Sequence, residues 1–174
     1  AVRQRIAHQL GGFLTELHTV PLDDVEGLVP FADPRAPHTA VAEGFEQLVA
    51  PRLEPNECRA LQDYLVELER AVDANFVPVL GHADLTSDHI LIDDDHHGLS
   101  GIIDFTDRRI QDPAMDFGGL WGFGAKFVEQ VYAHYDGPRD DGLLGRSRLY
   151  FNRIGPAIMV FALEGKPCSF EDGH

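Results

Sequence analysis

A mostly helical α+β domain is what the sequence predicts, on three observations. Apolar residues recur at helical spacing on both sides of the chain's middle. The middle itself holds two short β-type runs, HILID and LSGIIDF, separated by the turn DDDHHG. The helices come in blocks before and after this hairpin and do not alternate with strands, which excludes a doubly wound parallel sheet. At 174 residues the chain reads as one domain spanning 1–174, long enough to bury a core without disulfides.

The elements follow in order. From Arg3 to His18, Ile6, Leu10, Phe13, Leu14 and Leu17 form one apolar stripe and predict an amphipathic helix. Pro21 to Pro37 is rich in Pro and Asp and reads as a connecting loop. A second helix carries Val41, Phe45, Leu48 and Val49. A third starts near Pro55, a favourable first-turn residue, and repeats Cys58, Leu61, Leu65, Leu68 and Val72. Val77 to Leu80 is a short apolar run. The predicted hairpin pairs His89–Asp93 with Leu99–Asp104. Its turn holds the acidic run Asp93 to Asp95, then His96, His97 and Gly98, all read as solvated. Asp112 and Pro113 open a helix as N-cap and first-turn proline, and Trp121, following Phe117 and Leu120, reads as core. Two more helices are predicted over Ala125–Tyr135 and Leu143–Leu163, the second kinked or broken at Gly155-Pro156.

Lys and Arg total 14 and Asp and Glu 29, a net charge of −15. Such a surface repels nucleic acid and anionic membranes and attracts cations. The expected partner is therefore a cationic small molecule, with no nucleic acid and no membrane. No apolar run approaches the ~20 residues of a membrane helix, and no basic stretch followed by an apolar one marks a secretory leader. Cys58 and Cys168 lie outside any CxxC pair, which points to a reducing cytoplasm. The chain begins at Ala1 without methionine and is read as an excised or processed piece.

Carboxylates and histidines concentrate between Gly81 and Asp116. A loop carrying Asp84 leads into the first predicted strand, and Asp104 is placed at the end of its partner. A tight hairpin brings His89 and Asp104 to one end of the ribbon, so that Asp84, His89 and Asp104 converge. That cluster suits a proton acceptor beside a divalent cation. A metal-dependent hydrolase is a rival on the same residues, but the further well-spaced histidines of such sites are missing.

This stretch resembles the aminoglycoside phosphotransferase family, whose catalytic lobe is similar to that of protein kinases. The kinase pattern is H-R-D-x-x-x-x-N followed by D-F-G. Here His82-Ala83-Asp84 stands for H-x-D, His89 falls where the pattern has Asn, and Ile103-Asp104-Phe105 supplies the metal-binding Asp. The downstream D-P-A-M-D-F, with Asp112 and Asp116, and the leading QLGGFLTELHTVP are also similar to the antibiotic kinases. With S-D-H before an apolar strand, the chain resembles the branch that phosphorylates the 2''-hydroxyl.

The resemblance implies the C-terminal lobe of a kinase-like fold, with a small β-hairpin and no N-terminal nucleotide-binding lobe. It implies Asp84 as the catalytic residue. His89 and Asp104 would bind Mg²⁺ and, through it, ATP or GTP. Asp84 and Asp107 would contact substrate. His82 and Asp116 are expected to support the site, His82 packed under the loop and Asp116 bracing it, and Asp112 to act only as a cap. The implied substrate is an aminoglycoside. Kinases for macrolides, choline or homoserine share the motifs, and a non-catalytic lobe that captures cations is the alternative for the chain alone.

Overall fold

Val2–His18 form helix α1 because one stripe of the sequence is apolar or small, and Ala7, Leu10, Gly11, Leu14 and His18 are the residues it buries. Leu10 and Leu14 are wholly buried, which stabilises by about 1.5–3 kcal/mol each. The computed structural model describes residues 2–33, 35–93, 95 and 97–174. Asp94 and His96, placed above in a solvated turn, lie outside the described residues. The chain forms two compact units. One comprises Ala1–Ala32 and Phe76–Arg148, the other Asp33–Asn75 and Leu149–His174.

The first unit holds the carboxylate-rich stretch. Its strands are β1 (Val79–Gly81), β2 (Ile90–Asp93), β3 (Gly98–Ile102) and β4 (Arg109–Gln111). Strands β2 and β3 form the predicted hairpin, with Ile90 opposite Ile102, Leu91 opposite Gly101 and Ile92 opposite Leu99. The register leaves Ser100 as an extra residue, a bulge that raises the local twist. Two expectations are corrected here. His89 ends a single 3₁₀ turn before β2, and Asp104 lies beyond β3, not at its end.

A second antiparallel pair was not expected. Strand β1 pairs with β4, Gly81 opposite Arg109. Phe31 adds a parallel bridge at Ile110, with Ala32 N–H donating to Ile110 O at 2.8 Å. Three-residue strands carry no periodicity, so only their long-range partner reveals them.

Helices α4 (Ala114–Leu120) and α5 (Ala125–Ala133) follow. α1 packs against α5, β1 and β3. Trp121, half-buried after α4, donates from Nε1 to Ser147 Oγ at 2.9 Å, and the Arg148 guanidinium lies 4.8 Å above its ring.

In the second unit, α2 (Arg35–Gly44) runs into a π-helical turn over Phe45–Val49, and α3 spans Pro55–Val72. α2 begins inside the segment read as loop. Pro37 is its third residue, and a first-turn residue gives up no helical hydrogen bond by lacking an N–H. α3 opens on a capping box between Glu54 and Glu57. The long helix predicted over Leu143–Leu163 is two, α6 (Leu143–Asn152) and α7 (Ile154–Leu163). The break precedes Gly155-Pro156, which places Pro156 in the first turn of α7. Val41, Phe45, Val49, Leu65, Met159 and Val160 form the core of this unit.

Candidate active site

After β1 the chain turns through His82, Ala83 and Asp84. Ala83 has φ 71°, the left-handed region, which costs a non-glycine residue about 1–2 kcal/mol. One buried carboxylate offsets that cost. Asp116, on α4, accepts hydrogen bonds from His82 N–H at 2.9 Å and Ala83 N–H at 2.7 Å. It also accepts from Gln111 Nε2 at 2.9 Å, and His18 Nε2 lies 2.9 Å away. Burial by itself would raise the Asp116 carboxyl. The hydrogen bond and charge of His18, with the two backbone donors, outweigh it and hold the group below the usual carboxylate range. His18 in turn meets Tyr135 Oη through Nδ1 at 2.8 Å. Neither His18, Gln111 nor Tyr135 was singled out from the sequence. The signal for His18 was a histidine on the Leu10–Leu14 stripe, one turn further on.

His82 is fully buried. Its Nδ1 accepts from Asp84 N–H at 3.3 Å, so the ring proton sits on Nε2 and goes to Ile103 O at 2.9 Å. Phe105 packs 4.6 Å from this ring and 6.3 Å from Phe13 of α1. The loop thus rests on the segment that carries Asp104. It also rests on α4, where a Cβ at Gly119 would fall inside contact distance of Leu85 O. Gly119→Ala is expected to destabilise the protein by about 1–3 kcal/mol, measured by denaturant unfolding.

Asp84, His89 and Asp104 come together. His89 Nδ1 donates to Asp84 O at 2.7 Å and lies 3.5 Å from Asp84 Oδ2, while Nε2 is 3.6 Å from Asp104 Oδ2. The two carboxylates are about half exposed and His89 is 17% exposed, so the group opens to solvent. The His89 pKa is raised, first by the hydrogen bond to Asp84 O and then by the charges of Asp84, Asp104 and Asp88. Asp104 is itself left-handed, with φ 60°. Hydrogen bonds from the Thr106 hydroxyl and N–H hold its pKa below the usual range.

Asp104 supplies a carboxylate oxygen, the donor a magnesium ion prefers, and His89 a softer nitrogen beside it. With Nδ1–H fixed by a backbone carbonyl, the ring turns Nε2 toward the Asp104 carboxylate and would offer a lone pair there once that nitrogen gives up its proton. Among the described residues no three His, Cys, Asp or Glu side chains form a ready cage.

Two flanking aspartates have partners of their own. Asp107 is exposed but not free, since Arg109 Nη2 lies 3.6 Å from its carboxylate and Arg109 Nε donates to its carbonyl. Asp112 lies one residue before the N-cap position, which Pro113 fills in place of the expected first-turn site. Its carboxylate accepts from Ala114 N–H at 3.0 Å and also from Arg146 Nε at 2.8 Å and Nη2 at 3.0 Å. Arg146, buried with Asp112, continues to the half-buried Asp140.

Comparison with known proteins places the fold. Aminoglycoside 2'-phosphotransferase-IIIa in its GDP complex superposes with a TM-score of 0.85 at 25% identity, over 99% of this chain and 60% of that one. The GDP and kanamycin complex of APH(2")-IIia gives 0.84 at 26% identity, over 99% and 59%. Macrolide 2'-phosphotransferase type I shares the fold, with a TM-score of 0.70 at 22% identity, over 97% and 57%. The chain therefore spans about 60% of the length of the first of these proteins. A search of curated proteins finds no match. Among the described residues no helix is long and apolar enough to cross a membrane. The model of the phosphotransferase enzyme family matches residues 1–149, and the chain belongs to that family.

Proposed function

We propose that this chain is the catalytic and substrate-binding lobe of a small-molecule O-phosphotransferase that moves the γ-phosphate of ATP or GTP to a hydroxyl of an aminoglycoside. The observation that carries this reading is the His89 ring set between the Asp84 and Asp104 carboxylates at 3.5 and 3.6 Å. Asp84 accepts or orients the proton of the substrate hydroxyl. Asp104 and His89 would hold Mg²⁺, which would supply charge neutralisation to the nucleotide phosphates. Asp116 and His82 keep the loop in place, so the chain contributes mainly positioning. The kinases it resembles cover the phosphates with a glycine-rich loop and a strand lysine; in this reading those belong to a separate N-terminal lobe of the same polypeptide. The two free cysteines support a cytoplasmic setting.

The charge of −15 favours a polycationic substrate. A macrolide is the second reading, favoured by the Arg109 guanidinium that partly neutralises Asp107 beside the site. Calorimetric titration of kanamycin and of a macrolide at two ionic strengths separates them. Aminoglycoside binding should weaken steeply as salt rises, because exposed charges are screened beyond ~10 Å at 0.1 M. Salt-insensitive macrolide binding with no aminoglycoside binding would overturn the substrate assignment. The 174-residue chain alone is expected to show no phosphotransfer with Mg²⁺ and ATP or GTP. Turnover by it would remove the need for a second lobe.

A further inference from the structure

His18 is buried at the end of α1, and both of its ring nitrogens have partners. Nε2 lies 2.9 Å from Asp116 Oδ2, and Nδ1 lies 2.8 Å from Tyr135 Oη. Tyr135 Oη in turn donates to Pro138 O at 3.2 Å. Asp116, held in its anionic form, can only accept, so Nε2 carries a proton. Burial and the charge of Asp116 push the Tyr135 hydroxyl above its usual range, so it keeps its own proton. That single proton serves Pro138 O or His18 Nδ1. Sent to Pro138 O, it leaves Oη as an acceptor and calls for a proton on Nδ1 as well.

The charges around the pair favour the second proton. Asp116 is wholly buried, and a buried anion is costly without a cation beside it. Arg146 is shared by Asp112, whose charge also reaches Tyr135, and by Asp140. Arg139 lies over the rings of Tyr132 and Tyr135, at 4.8 and 5.7 Å, and pairs with Asp136. From the loop after β1, His82 gives Asp116 its backbone N–H, while its ring is bonded to Ile103 O. A doubly protonated His18 is the counter-charge in direct contact with Asp116.

The same bonds join two segments. On one side Asp116 holds the left-handed bend at Ala83 through the His82 and Ala83 N–H groups. On the other, the turn over 136–138 lies directly on the phenol. A Cβ at Gly137 would fall inside contact distance of Tyr135 Oη, and Asp136 N–H donates to Thr15 Oγ1 of α1 at 2.9 Å. When the Nδ1 proton leaves for solvent, the Tyr135 proton turns from Pro138 O to His18, and Asp116 loses its counter-charge. We infer that His18 and Tyr135 form a proton-operated latch, closed when His18 carries both ring protons, which couples the 136–138 turn to the loop bearing Asp84. The loop is held on the acidic side and loosened as pH rises. That this loop serves phosphotransfer rests on the function proposed above; the latch is tested without it.

The test follows the ring ¹⁵N signals of His18 in the 174-residue chain from about pH 6 to about pH 9, together with the amide signals of Ala83 and Gly137. The ring is expected to hold both protons at the acid end and to lose the one on Nδ1, with Nε2 still protonated. The two amides should shift with the same midpoint. Tyr135→Phe, which removes the acceptor for Nδ1–H, should leave the ring with its Nε2 proton alone across the range and the Gly137 amide unmoved. Tyr132→Phe should titrate like the parent, since that ring stands 6.4 Å from Tyr135 and makes no hydrogen bond to His18 among the described residues. An unchanging proton count on His18 in the parent would overturn the latch. So would a titration that leaves the Ala83 and Gly137 amides in place, or one that Tyr135→Phe does not alter. The parent's own signals decide should Tyr135→Phe fail to fold. None of these results bears on whether the chain is a phosphotransferase lobe.

Discussion

Asp84→Ala, made in an enzyme that includes the nucleotide-binding lobe, is expected to lower kcat about 10²–10⁴-fold, the usual contribution of a positioned acid or base. Stability should hardly change. The Asp84 carboxylate is 45% exposed and, among the described residues, approaches the His89 ring at 3.5 Å, and a surface substitution of that kind stays within about 0.5 kcal/mol. Steady-state kinetics beside a thermal melt separates the two quantities. A variant that melts like the parent and turns over nearly as fast would remove Asp84 from the chemistry.

Asp116→Asn should have the largest effect on the fold. The carboxylate is fully buried and takes bonds from His82 N–H, Ala83 N–H and Gln111 Nε2, with His18 Nε2 at the same distance. An amide in its place turns an NH₂ toward groups that are donors themselves. Removing one partner of such a buried set costs about 3–5 kcal/mol, measured by denaturant unfolding. The pH dependence has a definite sign. A carboxyl depressed in the folded state contributes stability above its unfolded pKa of ~3.9, and loses it as pH falls from there toward the lowered native value. The parent should lose that contribution in this acid range, and Asp116→Asn should lose less.

The hairpin and the long helices were legible in the sequence because their signals are local: a turn rich in Asp and Gly, and apolar residues at helical spacing. The ordered carboxylates and histidines gave the members of the site. What pairs Asp116 with His18 was hidden, since these residues are far apart in the chain and meet only when α1 and α4 are in place. The β1–β4 pair was hidden for the same reason. The left-handed backbone of Ala83 was illegible because alanine does not announce it, and that of Asp104 because aspartate adopts it at only a small share of its positions. The Arg109 contact to Asp107 falls between the motif stretches Ile103–Phe105 and Asp112–Phe117 and leaves no trace in either.

Trp121 is the only tryptophan in the chain, and its surroundings make it a spectroscopic label. Its indole N–H is tied to Ser147 and its ring lies under Arg148, so emission on excitation at the red edge arises wholly from the first unit. The second unit contributes helix to the far-ultraviolet dichroism but nothing to that emission. Comparing the two traces through one denaturant series measures whether the units unfold in a single cooperative event, with no label added and no residue changed.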